Sequence, residues 1–229
     1  MKKPLRIVLG GASGRMGRQV AAVASSDPRF SIVGGVGLGT TAMLPGLLEH
    51  ADVLVDFSAP DASIAFLQAA RRAGVPAVIG TTGFTDRQKA LLRGASRKIP
   101  VFFSPNMSPG MNLVFALARL AAGVLPRYDA AISESHHTRK KDAPSGTALR
   151  LAEAVREGRC GGPAVPTVSI RAGDIVGDHT LLLAGPDERI ELTHRAGSRS
   201  VFARGALEAA RWLRGRQPGL YGMRDLLGL

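Results

Sequence analysis

A doubly wound α/β fold followed by a second, mainly antiparallel sheet is the architecture this 229-residue sequence predicts. From Leu5 to Ser104, short β-rich apolar runs alternate with segments of helical apolar spacing, the pattern of a parallel sheet with helices on both faces. A glycine-rich turn, GGASGRMG, follows directly on the first of those runs. Beyond Thr167 three strand-like runs are separated only by the turn signals GDIVGD and GPDE, which is hairpin spacing.

Taken in order, Leu5 to Leu9 is the first strand, and the Ala and Val spacing from Met16 onward suits a helix. Between them Gly11, Gly14 and Gly17 form G-x-x-G-x-x-G. Such glycines permit a tight turn, let the backbone approach a pyrophosphate and aim helix N–H groups at it, which is the opening of a Rossmann-type dinucleotide-binding unit. Phe30 to Val36 and Val53 to Phe57 are the next strands. A helix from about Asp61 to Ala73, with Ile64, Phe66, Leu67 and Ala70 on its apolar stripe, stops at Gly74. Ala77 to Gly80, a helix from Thr85 to about Lys98, and Val101 to Ser104 complete the alternation. Ligands of such sheets sit beyond the carboxyl ends of the strands, so GTTGF (Gly80 to Phe84) and SPNMSPGMN (Ser104 to Asn112) are candidate binding loops.

After Pro109 the pattern changes. A helix through Leu113 to Leu120 leads to a strand from Ala130 to His137, and a second helix is predicted from Pro144 to about Glu157. Thr167 to Arg171, His179 to Ala184 and Arg189 to Arg195 read as strands, and Ser200 to Leu213 as a helix. The expected class is therefore a Rossmann-type doubly wound parallel sheet plus a second α+β domain with a mainly antiparallel sheet.

Composition narrows the function. Apolar residues at 45% and charged residues at 21% make an ordinary globular balance. Lys2 and Lys3 precede only a short apolar run, so no signal-peptide core or membrane span is expected, and a cytoplasmic location follows. The single cysteine, Cys160, permits neither an internal disulfide nor a cysteine-based zinc cluster. A formal charge of +12 invites a nucleic-acid reading, but the arginines are scattered from Arg6 to Arg224 and aromatics for base stacking are only 5% of residues. An anionic substrate and a pyrophosphate cofactor suit the same field.

The densest chemistry lies in ESHHTRKKDAPSGTAL, Glu134 to Leu149. On a strand, Glu134 and His136 share one face and His137 looks the other way, which makes the histidine pair a poor chelate and a better acid plus a separate binding group. Pro144 fits the first turn of a helix. Ser145, Gly146 and Thr147 would then present backbone N–H groups to an anion, deepened by Arg139, Lys140 and Lys141. A zinc site from Glu134, His136, His179 and His194 has no compact ligand motif behind it, so no metal is expected. His50, His179 and His194 are read as surface or hydrogen-bonded residues.

This segment, with GASGRMGR, VDFS, GTTGF, RAGDIVGDHT and GLYGMRDLL, resembles the signatures of the dihydrodipicolinate reductase family over nearly the whole chain. The resemblance implies NAD(P)H-dependent reduction of a cyclic imine dicarboxylate on the diaminopimelate route to lysine. It implies His136 as proton donor, Lys140 as the second active-site residue, and His137, Gly146 and Thr147 as substrate contacts. Cofactor contacts would come from Gly11, Ala12, Ser13, Gly14, Arg15, Met16 and Gly17, from Gly80, Thr81 and Thr82, and from Ser104, Pro105, Asn106 and Met107. It also implies a homotetramer, with residues 1–107 and 201–229 binding the cofactor and 108–200 binding substrate and making the assembly. A nucleotide-binding sensor without turnover is the alternative, opposed by the joint presence of the five catalytic and substrate-contact residues. One departure stands out: no acid lies between Asp27 and Glu49 and no Lys or Arg between Arg29 and Arg71, so the usual selectors of NADH or NADPH after the second strand are missing.

Overall fold

The computed structural model describes residues 3–37 and 39–229; Lys2, whose charge entered the leader argument, and Leu38, in the segment after the second strand, lie outside the described residues. In chain order the strands are β1 (Leu5–Gly10), β2 (Phe30–Val36), β3 (Val53–Asp56), β4 (Ala77–Ile79), β5 (Pro100–Phe103), β6 (Asp129–His136), β7 (Thr167–Arg171), β8 (Asp178–Ala184), β9 (Arg189–Arg195) and β10 (Gly219–Tyr221). The helices are α1 (Arg15–Ser25), α2 (Leu44–Leu48), α3 (Pro60–Ala73), α4 (Asp86–Ser96), α5 (Pro109–Val124), α6 (Gly146–Gly158), α7 (Ser200–Leu213) and α8 (Met223–Leu227). Two compact units result: residues up to Met107 with Ser200–Gly228, and Ser108–Arg199.

The first unit is a six-stranded parallel sheet in the order β10-β5-β4-β3-β1-β2. Its central strands are buried on both faces, which is why they read as continuous apolar runs. Alternation still sorts them. Ile7, Leu9, Val53 and Val55 pack with Val20 and Ala24 of α1 and Ala203, Ala206, Leu207 and Ala210 of α7. Val8 and Leu54 pack with Leu44 and Leu48 of α2 and Phe66 and Leu67 of α3. Local chemistry sets the helix ends. Thr85 caps α4 in a reciprocal box with Gln88, and Gly74 closes α3 in the left-handed conformation at φ 70°.

The second unit is a four-stranded sheet, β7-β6-β8-β9. β8 pairs antiparallel with β6 and β9, while β7 runs parallel to β6. That parallel pair is the consequence of α6, the crossover helix that parallel neighbours need. Met111, Phe115 and Ala118 of α5 and Ala148, Leu151 and Val155 of α6 bury Ile132, Leu181 and Leu183 on one face of this sheet.

Several elements differ from their predicted extents. The segment after β2 contains a 3₁₀ turn at Thr41–Met43 and the short α2, too brief to show a period, with Leu44 and Leu48 buried one turn apart. Three-residue β10 is too short to show a period in the sequence; it pairs with β5, and its Tyr221 packs edge-on against Trp212, ring centroids 5.3 Å apart. α5 is longer than Leu113 to Leu120, starting after a Ser108 cap that accepts the Met111 N–H at 3.2 Å. Pro144 is not in the first turn of α6. It follows a cis peptide after Ala143 and precedes the cap Ser145.

α7 packs close enough that a Cβ on Gly205 would fall 1.8 Å from the Met107 carbonyl oxygen. Gly205→Ala should therefore lower stability by about 1–3 kcal/mol through overpacking. Gly94→Ala, on α4 with nothing within 4 Å of the added carbon, should be neutral or stabilising by up to ~1 kcal/mol through helix propensity. Urea unfolding of the two variants beside the parent checks this; equal effects would contradict the packing argument.

Candidate active site

Within the first unit, the carboxyl ends of β1, β3, β4 and β5 bring three predicted loops to one edge of the sheet. The glycine turn is held by N–H bonds from Gly11 and Ala12 to the Val36 carbonyl, at 2.9 and 3.2 Å, and from Gly14 to the Gly11 carbonyl at 2.9 Å. Gly11 sits at φ 70°, where an added Cβ would meet the Phe57 carbonyl oxygen at 2.8 Å. A Cβ on Gly17 would lie 2.3 Å from the Gly11 carbonyl oxygen, so the loop rests directly on the first turn of α1. Ser13, Gly14 and Arg15 are exposed, Ala12 and Met16 half-buried. Gly14 caps α1 without a side-chain hydrogen bond, so the backbone N–H groups of this helix start fit a pyrophosphate.

Asp56, fully buried at the end of β3, ties the neighbouring loops together. It accepts the Ser58 N–H at 3.1 Å and the Thr81 hydroxyl at 3.0 Å. Burial pushes its carboxyl up, against the hydrogen bonds that lower it. Thr81 is thus engaged with the protein, whereas Thr82 is exposed. A Cβ on Gly80 would strike the Phe57 ring at 2.1 Å. Ser104 donates to the Asn106 carbonyl at 2.7 Å, which shapes the turn at Pro105. Met107 is a core residue at 1% exposure, with its carbonyl packed against Gly205 of α7. After β2, Gly37 N–H donates to Thr40 Oγ1 at 2.9 Å, and the Thr40 and Thr41 hydroxyls both turn back to the Gly37 carbonyl at 3.4 Å.

Within the second unit, Glu134 and His136 point to the same side of β6, as alternation requires, and Glu134 Oε2 is hydrogen-bonded to His136 Nδ1. Sheet register supplies the rest. His136 pairs with Arg171 on β7 and Glu134 with His179 on β8. Arg171 Nη2 donates to Glu134 Oε1 at 2.8 Å and to the Asp142 carbonyl at 2.6 Å. The Ser145 N–H adds a 3.3 Å bond to the same carboxylate oxygen. His179 lies edge-on to His136, ring centroids 5.1 Å apart, with Nε2 3.2 Å from the Ser145 hydroxyl, which also accepts the Ala148 N–H at 3.2 Å.

Electrostatics follow from this packing. Burial alone would raise the Glu134 carboxyl, but hydrogen bonds from Arg171, Ser169 and His136 outweigh it and hold it at about 2. Burial pushes His136 down despite Glu134, with Lys140 and Arg171 acting in the same direction. Burial and the neighbouring His136 hold His179 at about 4. At neutral pH the cluster is an anion beside two neutral imidazoles.

His137 is buried just past β6, and Gly146 and Thr147 open α6, with nothing within 4 Å of a Cβ added at Gly146. Lys140 pairs with both oxygens of Asp142, at 2.8 and 2.9 Å. Arg139 is turned to Asp174 at 2.6 Å, and Lys141 is exposed. Of the four residues weighed for zinc, Glu134, His136 and His179 bring ligand atoms within 4.8 Å of one another, while His194 faces Ser108 at 3.1 Å. Both Glu134 oxygens are already engaged, one by a guanidinium, which disfavours a second cation. The sequence assigns no role to Arg171 or Asp142 and sets His179 apart, although Arg171 lies in the RAGDIVGDHT segment; the Ser145 N–H, expected to face a bound anion, is turned to the Glu134 carboxylate instead.

Two family models match the chain, described as dihydrodipicolinate reductase N-terminus over residues 5–107 and C-terminus over 110–227. Curated relatives named 4-hydroxy-tetrahydrodipicolinate reductase include those of Thiobacillus denitrificans, 46% identical over 98% of this chain and 99% of the relative, and Anaeromyxobacter dehalogenans strain 2CP-C, 42% identical over 98% of each. Among solved structures, a dipicolinate-bound dihydrodipicolinate reductase from Paenisporosarcina sp. TG-14 shares the fold with a TM-score of 0.80 at 24% identity, covering 97% of this chain and 99% of that one.

The lowered pKa of His179 has a stability consequence. Unfolded, it takes up a proton below about 6.5; folded, only below about 4. Its contribution is therefore present above about pH 6.5 and is lost as pH falls towards 4, by roughly 3 kcal/mol at most. Urea unfolding of the parent should weaken over that window, and His179→Gln should weaken less; parallel profiles would remove His179 as the cause.

Proposed function

The chain belongs to the dihydrodipicolinate reductase family, and from that premise we propose how its residues divide the reaction. The activity is the NADH- or NADPH-dependent reduction of 4-hydroxy-tetrahydrodipicolinate in the diaminopimelate route to lysine. Bound nicotinamide supplies the hydride. In our reading the first unit holds the cofactor, with the pyrophosphate against Gly11 to Gly17 and the nicotinamide side against Gly80 to Thr82 and Ser104 to Met107. The glycine turn before α1, whose cap Gly14 makes no side-chain hydrogen bond, supports this.

The second unit, Ser108–Arg199, takes the substrate. After water is lost and hydride is added, an electron-rich enamine carbon needs a proton. His136 delivers it: its N–H bond breaks as the carbon–hydrogen bond forms, and solvent restores the proton. The observation that carries this reading is the buried Glu134–His136 pair beside the start of α6 and the Lys140 ammonium. One substrate carboxylate lies at the helix start, against Gly146 and Thr147. The other takes Lys140 from Asp142 and meets His137. Dipicolinate, the planar dicarboxylate bound by the Paenisporosarcina relative, should then compete with substrate.

We also propose a homotetramer in the cytoplasm, binding neither nucleic acid nor membrane. Val168 and Ile170, 63% and 47% exposed on the sheet face opposite α5 and α6, support an assembly contact. Among the described residues no helix is long and apolar enough to cross a membrane.

A coupled assay with freshly generated substrate and each cofactor tests the reading. His136→Gln should lower kcat by about 100-fold to 10,000-fold with little change in KM; near-full turnover would remove His136 from proton transfer. With no acid or arginine after β2 and its threonines turned to Gly37, kcat/KM for NADH and NADPH should agree within roughly tenfold. A preference beyond about a hundredfold would put the selecting residue elsewhere.

A further inference from the structure

Glu134 is placed as more than a structural charge. Its Oε2 meets His136 Nδ1, while its Oε1 receives two donors, Arg171 Nη2 at 2.8 Å and the Ser145 N–H at 3.3 Å. An ionised carboxylate only accepts hydrogen bonds, so the nitrogen facing it must carry the hydrogen. On the other side of the ring, Gly177 leaves space that a side chain would crowd: a Cβ there would sit 3.0 Å from His136 Nε2 and 3.3 Å from Cδ2. One nitrogen is clamped by an acceptor, and the other is kept clear by the absence of a side chain.

We propose that Glu134 is a positioning residue for the reduction: anchored by Arg171 and Ser145, it keeps the hydrogen of neutral His136 on Nδ1 and leaves Nε2 as the nitrogen that takes up and delivers the proton. This rests on the reading of His136 as the acid. In the delivering state both nitrogens are protonated, the Nε2–H bond breaks as the substrate C–H bond forms, and the imidazole returns to its Nδ1–H form against Glu134. The charged and titratable groups facing the ring are Glu134 on its own strand, Arg171 on β7, His179 on β8, and Lys140 and Asp142 beyond β6. Glu134 alone touches it as a buried anion, so it favours the imidazolium that the surrounding cations oppose.

The substitution Glu134→Gln is informative because the two donors on Oε1 dictate the amide's orientation. Its carbonyl must face Arg171 and Ser145, which turns the NH₂ group to Nδ1. The neutral ring is then forced to move its hydrogen to Nε2. Ring nitrogens of the full-length protein, labelled in histidine with ¹⁵N and recorded near pH 8, should show Nδ1 protonated and Nε2 bare in the parent, and the reverse in Glu134→Gln. The variant's kcat should fall by about 100-fold to 10,000-fold, the range seen when a histidine is held in the wrong tautomer or loses its general-acid role. The alkaline limb of its kcat profile should move to lower pH, a shift that loss of mere packing would not cause. Gly177→Ala should keep the Nδ1–H form yet lower kcat by roughly tenfold or more, by crowding Nε2.

A parent protein with Nε2–H in its neutral state would overturn the proposal, and so would a Gly177→Ala variant with unchanged kcat. The underlying reading fails separately: His136→Gln at full turnover would unseat the acid while leaving the tautomer result intact.

Discussion

One buried carboxylate organises the second unit. Placing Glu134 at 1% exposure carries a desolvation cost of several kcal/mol, and the fold offsets it from three directions at once. Arg171 arrives on β7, the Ser145 N–H arrives with the start of α6, and His136 arrives two residues along the same strand. The β6-α6-β7 crossover is what makes this coincidence possible, because the helix that connects two parallel strands also brings its own first turn to the middle of the site. An antiparallel return from β6 to β7 would have reversed the register that sets Arg171 opposite His136.

A second buried carboxylate has a similar place in the first unit under a different physical rule. Asp56 has no ion pair among the described residues; it accepts from the Ser58 N–H and the Thr81 hydroxyl and is pushed up by burial. It links the end of β3 to the end of β4 beneath Gly10, where a Cβ would fall 2.3 Å from its Oδ1. Glycine is needed there for packing alone, while at Gly11 both packing and a positive φ demand it.

Periodicity made most of the scaffold legible. Central strands such as β3 are wholly buried and apolar up to the closing Asp56, and α3 has a stripe and a glycine stop. Elements too short to carry a period are not legible in the sequence: β10, paired with β5, and the short α2, held by the burial of its own Leu44 and Leu48. The same division holds at the site. Glu134, His136 and the start of α6 are close in sequence and were found together. Arg171, 37 residues from Glu134, and His179, 34 from Ser145, reach the site only through strand register. Their residue types alone, an arginine and a histidine in hairpin-rich sequence, do not distinguish them from surface groups.

The first sheet is assembled from both ends of the chain: β10 closes its edge beside β5, and α7 covers the face that Ile7, Leu9, Val53 and Val55 present. On the ribosome this imposes an order. When Met107 has emerged, five strands of the six exist but one apolar face of the sheet lacks α7, and it must wait while the intervening unit is synthesised. Residues Ser108–Arg199 complete their own sheet and both covering helices before Ser200 appears. The sequentially later unit is therefore the first able to reach its final packing, and the nascent first unit carries an unsealed hydrophobic face for about 90 residues, or roughly 5–20 seconds of elongation.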